Sequence, residues 1–524
     1  MEKVEQWGVI ELTFEGKSDG NPFTDYEICA EFSNEKEEKK VHGFYDGDGN
    51  YKVRFMPSFT GTYEYKVYGS FSETQNTGTF EAITPVTANN HGMVRVLDER
   101  YLEYSDATPY YSIGTTCYAW VHQSEKLQEQ TLRTLADSCF NKIRFCIFPK
   151  FYKYNVSEPE MYPYVRGRKR GIDEEQRKRQ IHMPFHTDKE IADITDFDCY
   201  RFDVEMFRKF DLRIEQLQKL GIEADIILLH PYDKWGFANM TMECDKLYLN
   251  YVAARYSAYR NVWWSMANEY DLTTKSMEDW EELARTVKSA DPYGHMISIH
   301  NCMEFYDYHR DWITHCSMQR QDFYKHVELT DDYLLEYNKP VVWDEICYEG
   351  NISMGWGNIT GEEMIRRFWE TFLRGGYAGH GETYENENDI LWWSHGGVLY
   401  GTSEPRLAFL KKVMEQTPGK FLKRIPAMFD EIVAIPYRTK VQETHPFYGP
   451  ILFYDYELRY YSFGRPSCKE FEFPEDQKFQ VEVIDTWNMT VTDMGIHSGY
   501  TKIQLPKRQF MAIRLQRVNE KTKC

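Results

Sequence analysis

The chain has no run of 18 apolar residues, so no segment of it reads as a membrane-spanning helix. It also lacks a C-x-x-C pair, and its 11 cysteines, an odd number, are scattered from Cys29 to Cys524. That scatter fits reduced thiols in a cytoplasmic setting better than a disulfide framework or a thiolate zinc site. The first residues, Met1-Glu2-Lys3-Val4-Glu5-Gln6-Trp7, have no basic segment leading into an apolar core, so no secretion signal is read there. Sequons such as Asn239-Met240-Thr241 then carry no weight. Basic residues are in deficit: 62 Lys and Arg against 82 Asp and Glu leave a formal charge of -20. Such a surface repels phosphate backbones and anionic headgroups, which excludes nucleic acid and membranes as partners. G-x-S-x-G and H-E-x-x-H are missing as well, so serine-hydrolase and zincin chemistry find no support. There is no fixed-period repeat and no low-complexity tract.

Aromatics, by contrast, are abundant, with 39 Tyr and 13 Trp, a composition that suits stacking against flat apolar faces such as sugar rings. At 524 residues the chain is long enough for about three domains, one of them a larger barrel. Up to about residue 88 the pattern is short alternating stretches, Val9–Phe14, Tyr26–Phe32 and Tyr51–Phe55, which predicts an antiparallel sandwich. Asp46-Gly47-Asp48-Gly49-Asn50 imitates the start of a calcium loop, but Pro57 stands where the twelfth-position Glu belongs, so a hairpin turn is expected.

From Tyr111 to about 417, apolar strands alternate with amphipathic helices. Strands are expected at Tyr111–Trp120, Lys142–Phe148, Ala224–His230, Val262–Glu269, Met296–Asn301, Cys316–Arg320, Val341–Glu345 and Tyr377–Thr383, with helices such as Glu125–Cys139, Glu205–Leu220, Met277–Ala290 and Glu362–Arg374 between them. Eight strands make a closed barrel, and the doubly wound alternative lacks its Gly-rich phosphate turn. The connection from Lys150 to about Arg201 is long, polar and rich in Tyr, Arg and Lys, and is expected to form one wall of a cleft. Within it Arg166-Gly167-Arg168-Lys169-Arg170 reads as a solvated loop face. Alternation returns in Glu457–Phe463, Phe479–Ile484, Lys502–Leu505 and Phe510–Leu515. The expected fold class is thus α/β: a (β/α)8 TIM barrel over 89–420, preceded by an Ig-like β-sandwich over 1–88 and followed by a small β-sandwich over 421–524. The junctions lack long Gly/Ser or Pro tracts, so both sandwiches should pack on the barrel.

Two of the apolar strands end in carboxylates at the face where barrel active sites assemble: Val262-Trp263-Trp264-Ser265-Met266-Ala267-Asn268-Glu269 and Val341-Val342-Trp343-Asp344-Glu345. The 76 positions from Glu269 to Glu345 fit three βα units of about 25 residues, which makes these strands four and seven. Glycoside hydrolysis needs a protonated acid at the leaving oxygen and an ionised carboxylate at the anomeric carbon, and neighbouring strands of one barrel can supply both. Arg144, after strand two, would hold a nearby carboxylate ionised. His122, His230, His300 and His380 all fall near strand ends. Trp120 and Trp392 are the preferred sugar platforms over Trp343 and Trp393.

The Asn268-Glu269 pair closing strand four and Glu345 closing strand seven resemble the clan of retaining (β/α)8 glycosidases, and Arg144 and His230 extend the match. Within the clan the chain is most similar to the apiosidase-like, endoglucanase-type group, in which one small sandwich precedes the barrel and another follows it. The turn Phe44–Asn50 and the segment Gly379-His380-Gly381-Glu382-Thr383-Tyr384 carry that similarity. The resemblance implies Glu269 as general acid/base and Glu345 as nucleophile. Asn268, Arg144, His230, Trp120, His122, His300, His380, Glu382 and Trp392 would then contact a plant-type oligosaccharide or polysaccharide, with no metal and no cofactor. Clan members place a Tyr near the end of strand six to support the nucleophile, whereas here that strand reads His315-Cys316-Ser317-Met318-Gln319-Arg320, which leaves Gln319 or Tyr324 for the task. Asp344 competes with Glu345, since neighbours on a strand face opposite sides. Two rival readings stand beside this one: a metal-dependent barrel hydrolase using the histidines, and a non-catalytic carbohydrate-binding protein. Nothing in the pattern fixes an oligomeric state.

Overall fold

In the computed structural model, which describes residues 2–180, 194–322, 324–427, 431–442, 444–445, 449–450 and 453–518, eight short parallel strands form a ring. They are Ile113–Thr116, Lys142–Cys146, Glu223–Leu229, Val262–Ala267, Ile297–Ser298, Cys316–Met318, Val341–Trp343 and Tyr377–His380. Their pairing runs 5-4-3-2-1-8-7-6, and a bridge between His300 and Ser317 joins the fifth to the sixth. Each expected strand is present; the third, Glu223–Leu229, is shifted by one residue, and the others are shorter, chiefly at the carboxyl end, where polar groups leave the ladder to face the barrel mouth. Trp120–His122 is a 3-10 turn rather than strand, and Glu269 and Glu345 lie just past their strands.

The helices form where apolar spacing and caps agree. Met277–Ala290 starts in a capping box between Ser276 and Asp279. Val204–Leu220 starts on the Asp203 side chain and stops at Gly221, whose φ of 73° an L-residue with a Cβ resists.

A charged layer crosses the barrel interior. The Lys142 ammonium lies 2.7 Å from both Asp225 and Asp344, and Ser317 Oγ donates to Asp344 at 2.5 Å. Burial pushes the Asp344 carboxyl up, but Lys142 and then Arg144 outweigh it and hold it well below the usual range. The Asp344–Glu345 competition is settled by backbone: the strand ends at Trp343 and bends at Asp344, so alternation no longer applies. Asp344 turns down into the barrel and Glu345 stays at the mouth.

The amino-terminal strands make a five-stranded and a three-stranded sheet. Phe32 and Phe55 stack between the two layers at 4.1 Å. One pairing departs from the antiparallel expectation: Glu2–Glu5 runs parallel to Asn76–Ile83 at the sheet edge. The hairpin turn at Asp46–Asn50 forms as expected, between Phe44–Tyr45 and Asn50–Phe55. Its Asp46 carboxylate is buried against barrel residues Arg255 at 2.8 Å and Arg208 at 3.2 Å. Beside it Arg54 reaches Asp211 at 2.7 Å and donates to the Arg255 carbonyl.

At the other end, a six-stranded sheet and an antiparallel pair, Cys468–Glu472 with Tyr500–Gln504, enclose an apolar core around Phe471, Phe473 and Phe479. This layer meets the barrel through Tyr460 stacked on Trp369 at 5.5 Å and through Arg406 over Trp487 at 3.6 Å.

In the long connection after strand two, Tyr164–Arg166 pairs with Phe197–Phe202 and Glu174–Arg179 is a short helix. Residues 181–193 of that connection lie outside the described residues. All ten described cysteines are free thiols, and no helix among the described residues is long and apolar enough to cross a membrane.

Breaking a buried ion pair from one side leaves an uncompensated charge, at a cost of about 3–5 kcal/mol. Arg54→Ala should therefore lower the chemical-denaturation stability by that order, because Asp211 loses one of two guanidinium partners. A loss below about 1 kcal/mol would show that the sandwich–barrel contact is not held this way.

Candidate active site

The mouth of the barrel is a cleft whose walls come from the loops after strands two to eight. Glu269 and Glu345 both line it. Glu269 takes a left-handed backbone, φ 53° and ψ 57°, before the turn Tyr270–Leu272. A non-glycine residue held there is strained, and such strain persists only where surrounding contacts over-determine it. Those contacts are present: Oε1 accepts from Gln319 Nε2 at 3.1 Å, and Oε2 accepts from Asn268 Nδ2 at 3.3 Å and from the Tyr232 hydroxyl. Burial, and secondly the charge of Glu345, push the Glu269 carboxyl above the usual range.

Glu345 is held the other way. Its Oε1 accepts from the Tyr118 hydroxyl and lies 3.5 Å from His300 Nε2 and 3.6 Å from Arg144 Nη1. Burial raises this carboxyl too, but His300, Arg144 and Tyr118 together outweigh it and hold it down at about 2. Asn268 links the two carboxylates. Its Oδ1 accepts from Arg144 at 2.7 Å and lies 3.1 Å from the Tyr118 hydroxyl, while its amide donates to Glu269.

Lys150 is buried at the cleft floor, its ammonium 3.4 Å from the Tyr118 ring centre, 4.2 Å from Tyr232 and 4.8 Å from Tyr152. Cation–π attraction offsets part of its desolvation. Burial still lowers its pKa. Trp356 and Trp393 stand 4.9 Å apart in the cleft wall, with Tyr154 edge-on to both.

Of the residues singled out in the sequence, Glu269, Glu345, Asn268, Arg144 and His300 come together. Gln319 contacts Glu269 rather than Glu345, and Tyr324 is 93% exposed, so Tyr118 takes the position of a support for Glu345. His230 is buried below the cleft, donates Nε2–H to the Phe148 carbonyl at 3.2 Å, and is lowered by burial to about 3. His122 lines a separate, smaller hollow beside Arg213. Trp120 is fully buried against Phe145, and Trp392 turns inward to donate to Thr115 Oγ1 at 2.8 Å. His380 and Glu382 are buried 3.6 Å apart and do not line the cleft. In the long connection, Tyr152 and Tyr154 line it, while Tyr164–Arg179 packs elsewhere, with Tyr164 against Phe237. Trp393, ranked behind Trp120 and Trp392 as a sugar platform, is the one of the three that lines the cleft. Tyr118, Lys150, Tyr232 and Trp356 complete a site that sequence reasoning did not assemble, and of these only Lys150, a charge placed directly after the apolar strand Lys142–Phe148, carried a readable signal.

The family model described as Apiosidase-like, catalytic domain, matches residues 97–413, and two domains of unknown function, DUF5060 and DUF5605, match residues 3–70 and 451–516. The chain is 35% identical, with a TM-score of 0.85, to a crystal structure from Bacteroides vulgatus ATCC 8482 assigned provisionally as a glycoside hydrolase; the match covers 99% of this chain and 100% of that one. A glycoside hydrolase family 5 structure from the same strain shares the fold at 17% identity and a TM-score of 0.58, over 83% of this chain and 95% of that one. No curated protein matches the chain.

The raised Glu269 carboxyl has a consequence for stability. Above its unfolded pKa of about 4.3 the unfolded chain releases this proton while the folded chain keeps it, so folding loses stability as pH rises towards the folded value. Glu269→Gln should accordingly raise Tm at pH 7, with the gain shrinking to nothing near pH 4. A variant no more stable than wild type at pH 7 would contradict the raised value.

Proposed function

The chain belongs to the apiosidase-like catalytic-domain family and is a glycosidase, and from that premise we propose that it cleaves O-glycosidic bonds of plant-type oligosaccharides or polysaccharides with retention. The observation that carries this reading is the pair of carboxylates lining one cleft, Glu269 pushed above the usual carboxylate range by burial and by Glu345, and Glu345 held below it by His300, Arg144 and Tyr118.

In the first step the Glu345 carboxylate attacks the anomeric carbon as Glu269 gives its proton to the leaving oxygen, so the glycosidic bond breaks and a glycosyl ester of Glu345 forms. Glu269, now ionised, takes a proton from water. That water attacks the anomeric carbon, frees Glu345 and restores the acid. Arg144, Tyr118 and His300 keep Glu345 charged and aimed. Asn268 orients both carboxylates, and Trp356 and Trp393 supply the faces on which sugar rings stack. His230, by holding the Phe148 carbonyl, positions the segment that leads to Lys150.

The two glutamates must then fail differently. Glu345→Ala should bring turnover below detection on every substrate. Glu269→Ala should lose about 10²–10⁴-fold on poor leaving groups, spare the first step on activated aryl glycosides, and regain turnover with azide. On a substrate with a poor leaving group kcat/KM should fall as pH rises through the Glu269 titration, because the acid is lost, and that alkaline limb should vanish in Glu269→Ala. Wild-type rates in both variants would reverse the assignment. A panel of aryl glycosides and plant oligosaccharides identifies the sugar.

A further inference from the structure

Behind the cleft wall, Glu349, His380 and Glu382 are at most 1% exposed, and one donor atom from each lies within 4.8 Å of the other two. The backbone brings them together: Glu349–Gly350, in the loop that carries Glu345, pairs in parallel with Glu382–Thr383 at the end of the eighth strand. His380 Nε2 and Glu382 Oε1 face each other at 3.6 Å, and neither has a hydrogen-bond partner among the described residues. That gap exceeds the usual reach of an N–H···O bond.

The remaining atoms of the cluster are occupied, and their occupancy sets the charge. Glu382 Oε2 accepts from the backbone N–H groups of Tyr400 at 2.8 Å and Gly401 at 2.9 Å. Glu349 accepts from the Thr402 and Ser403 backbone N–H groups, from both their hydroxyls and from Tyr384. These contacts are all donors, which is the environment of two ionised carboxylates. Thr115 Oγ1 lies 3.3 Å from His380 Nδ1 and already accepts from Trp392. In the tautomer whose Nδ1–H donates to this hydroxyl, Nε2 is a bare lone pair aimed at the Glu382 oxygen, the arrangement in which an outer oxygen orients a metal-binding imidazole. Two buried anions and a facing lone pair need a cation among them. No side chain can supply one from residue 401, where an added Cβ would come within 2.4 Å of Glu382 Oε1 and 2.6 Å of Glu349 Oε2.

We propose that His380 Nε2 and Glu382 Oε1, with the Glu349 carboxylate beside them, form a structural site for one first-row divalent cation, best matched by Zn²⁺, that fastens the loop after strand seven to strand eight. Donors at about 2.0–2.2 Å from a tetrahedral ion stand about 3.3–3.6 Å apart, which the His380–Glu382 gap meets. One imidazole and two carboxylates suit such an ion better than Ca²⁺, which takes 6–8 oxygens, or Mg²⁺, which keeps most of its waters. The ion touches no cleft-lining group and takes no part in bond cleavage.

The test needs no turnover, so its failure is separate from failure of the glycosidase reading. The full chain is dialysed against EDTA, reloaded with Zn²⁺, Mn²⁺ or Ca²⁺, and assayed for bound metal by mass spectrometry and for Tm. About one equivalent of Zn²⁺ should return, with Tm rising by about 2 °C or more over the stripped protein, and Ca²⁺ should give neither effect. Glu382→Gln and His380→Gln should each lose both the ion and the Tm response. Wild-type chain that takes up no first-row ion and shows no shift overturns the site and assigns the gap to a proton. Uptake undiminished in both variants places the ion elsewhere and overturns it equally.

Discussion

Two carboxylates buried in one pocket cannot both be ionised without a desolvation cost of several kcal/mol each, added to their mutual repulsion. The barrel mouth resolves this by surrounding them unequally. Arg144, His300 and Tyr118 converge on Glu345, whereas Glu269 receives neutral donors from Gln319, Asn268 and Tyr232. These surroundings therefore favour the negative charge on Glu345 and the proton on Glu269. That asymmetry is what an acid and a nucleophile acting in the same step require.

The rest of the fold keeps the asymmetry in place. Arg144 is fixed from above by Asn268 and lies 4.0 Å from Asp225 below, in the layer where Lys142 joins Asp225 to Asp344. This charged layer crosses the barrel beneath the site, and it absorbs the carboxylate that precedes Glu345 in the chain. The amino-terminal sandwich reaches the outer helices through Asp46 and Arg54, and the carboxyl-terminal layer packs on the helix Gly361–Leu373 through Trp369, so both brace the ring from outside.

The barrel was legible because a parallel strand buried on both faces is a continuous apolar run between amphipathic helices, and Val262–Ala267 and Val341–Trp343 are such runs. Strand ends were not, because side-chain direction is periodic only while the ladder lasts. Trp120 and His122 fall in a 3-10 turn beyond Thr116, so their position in sequence does not say which way they face. Trp392 and Trp393 are adjacent on one short helical turn, about 100° apart, and only packing decides that Trp392 turns to Thr115 and Trp393 to the cleft. Tyr118, Tyr232 and Trp356 enter from loops, where residue type is a common one and no spacing marks it. His380 closes strand eight, the strand breaks at Gly381, and Glu382 lies beyond it paired with Glu349, so neither side chain reaches the cleft.

Retention requires a covalent intermediate on Glu345, and the configuration of the first-formed product reports on it directly. Proton NMR of the anomeric signal during the first turnovers, before mutarotation, should show a hemiacetal with the configuration of the bond that was cleaved. A first product of opposite configuration would mean that water attacks the anomeric carbon directly, and would contradict the assignment of Glu345 as nucleophile.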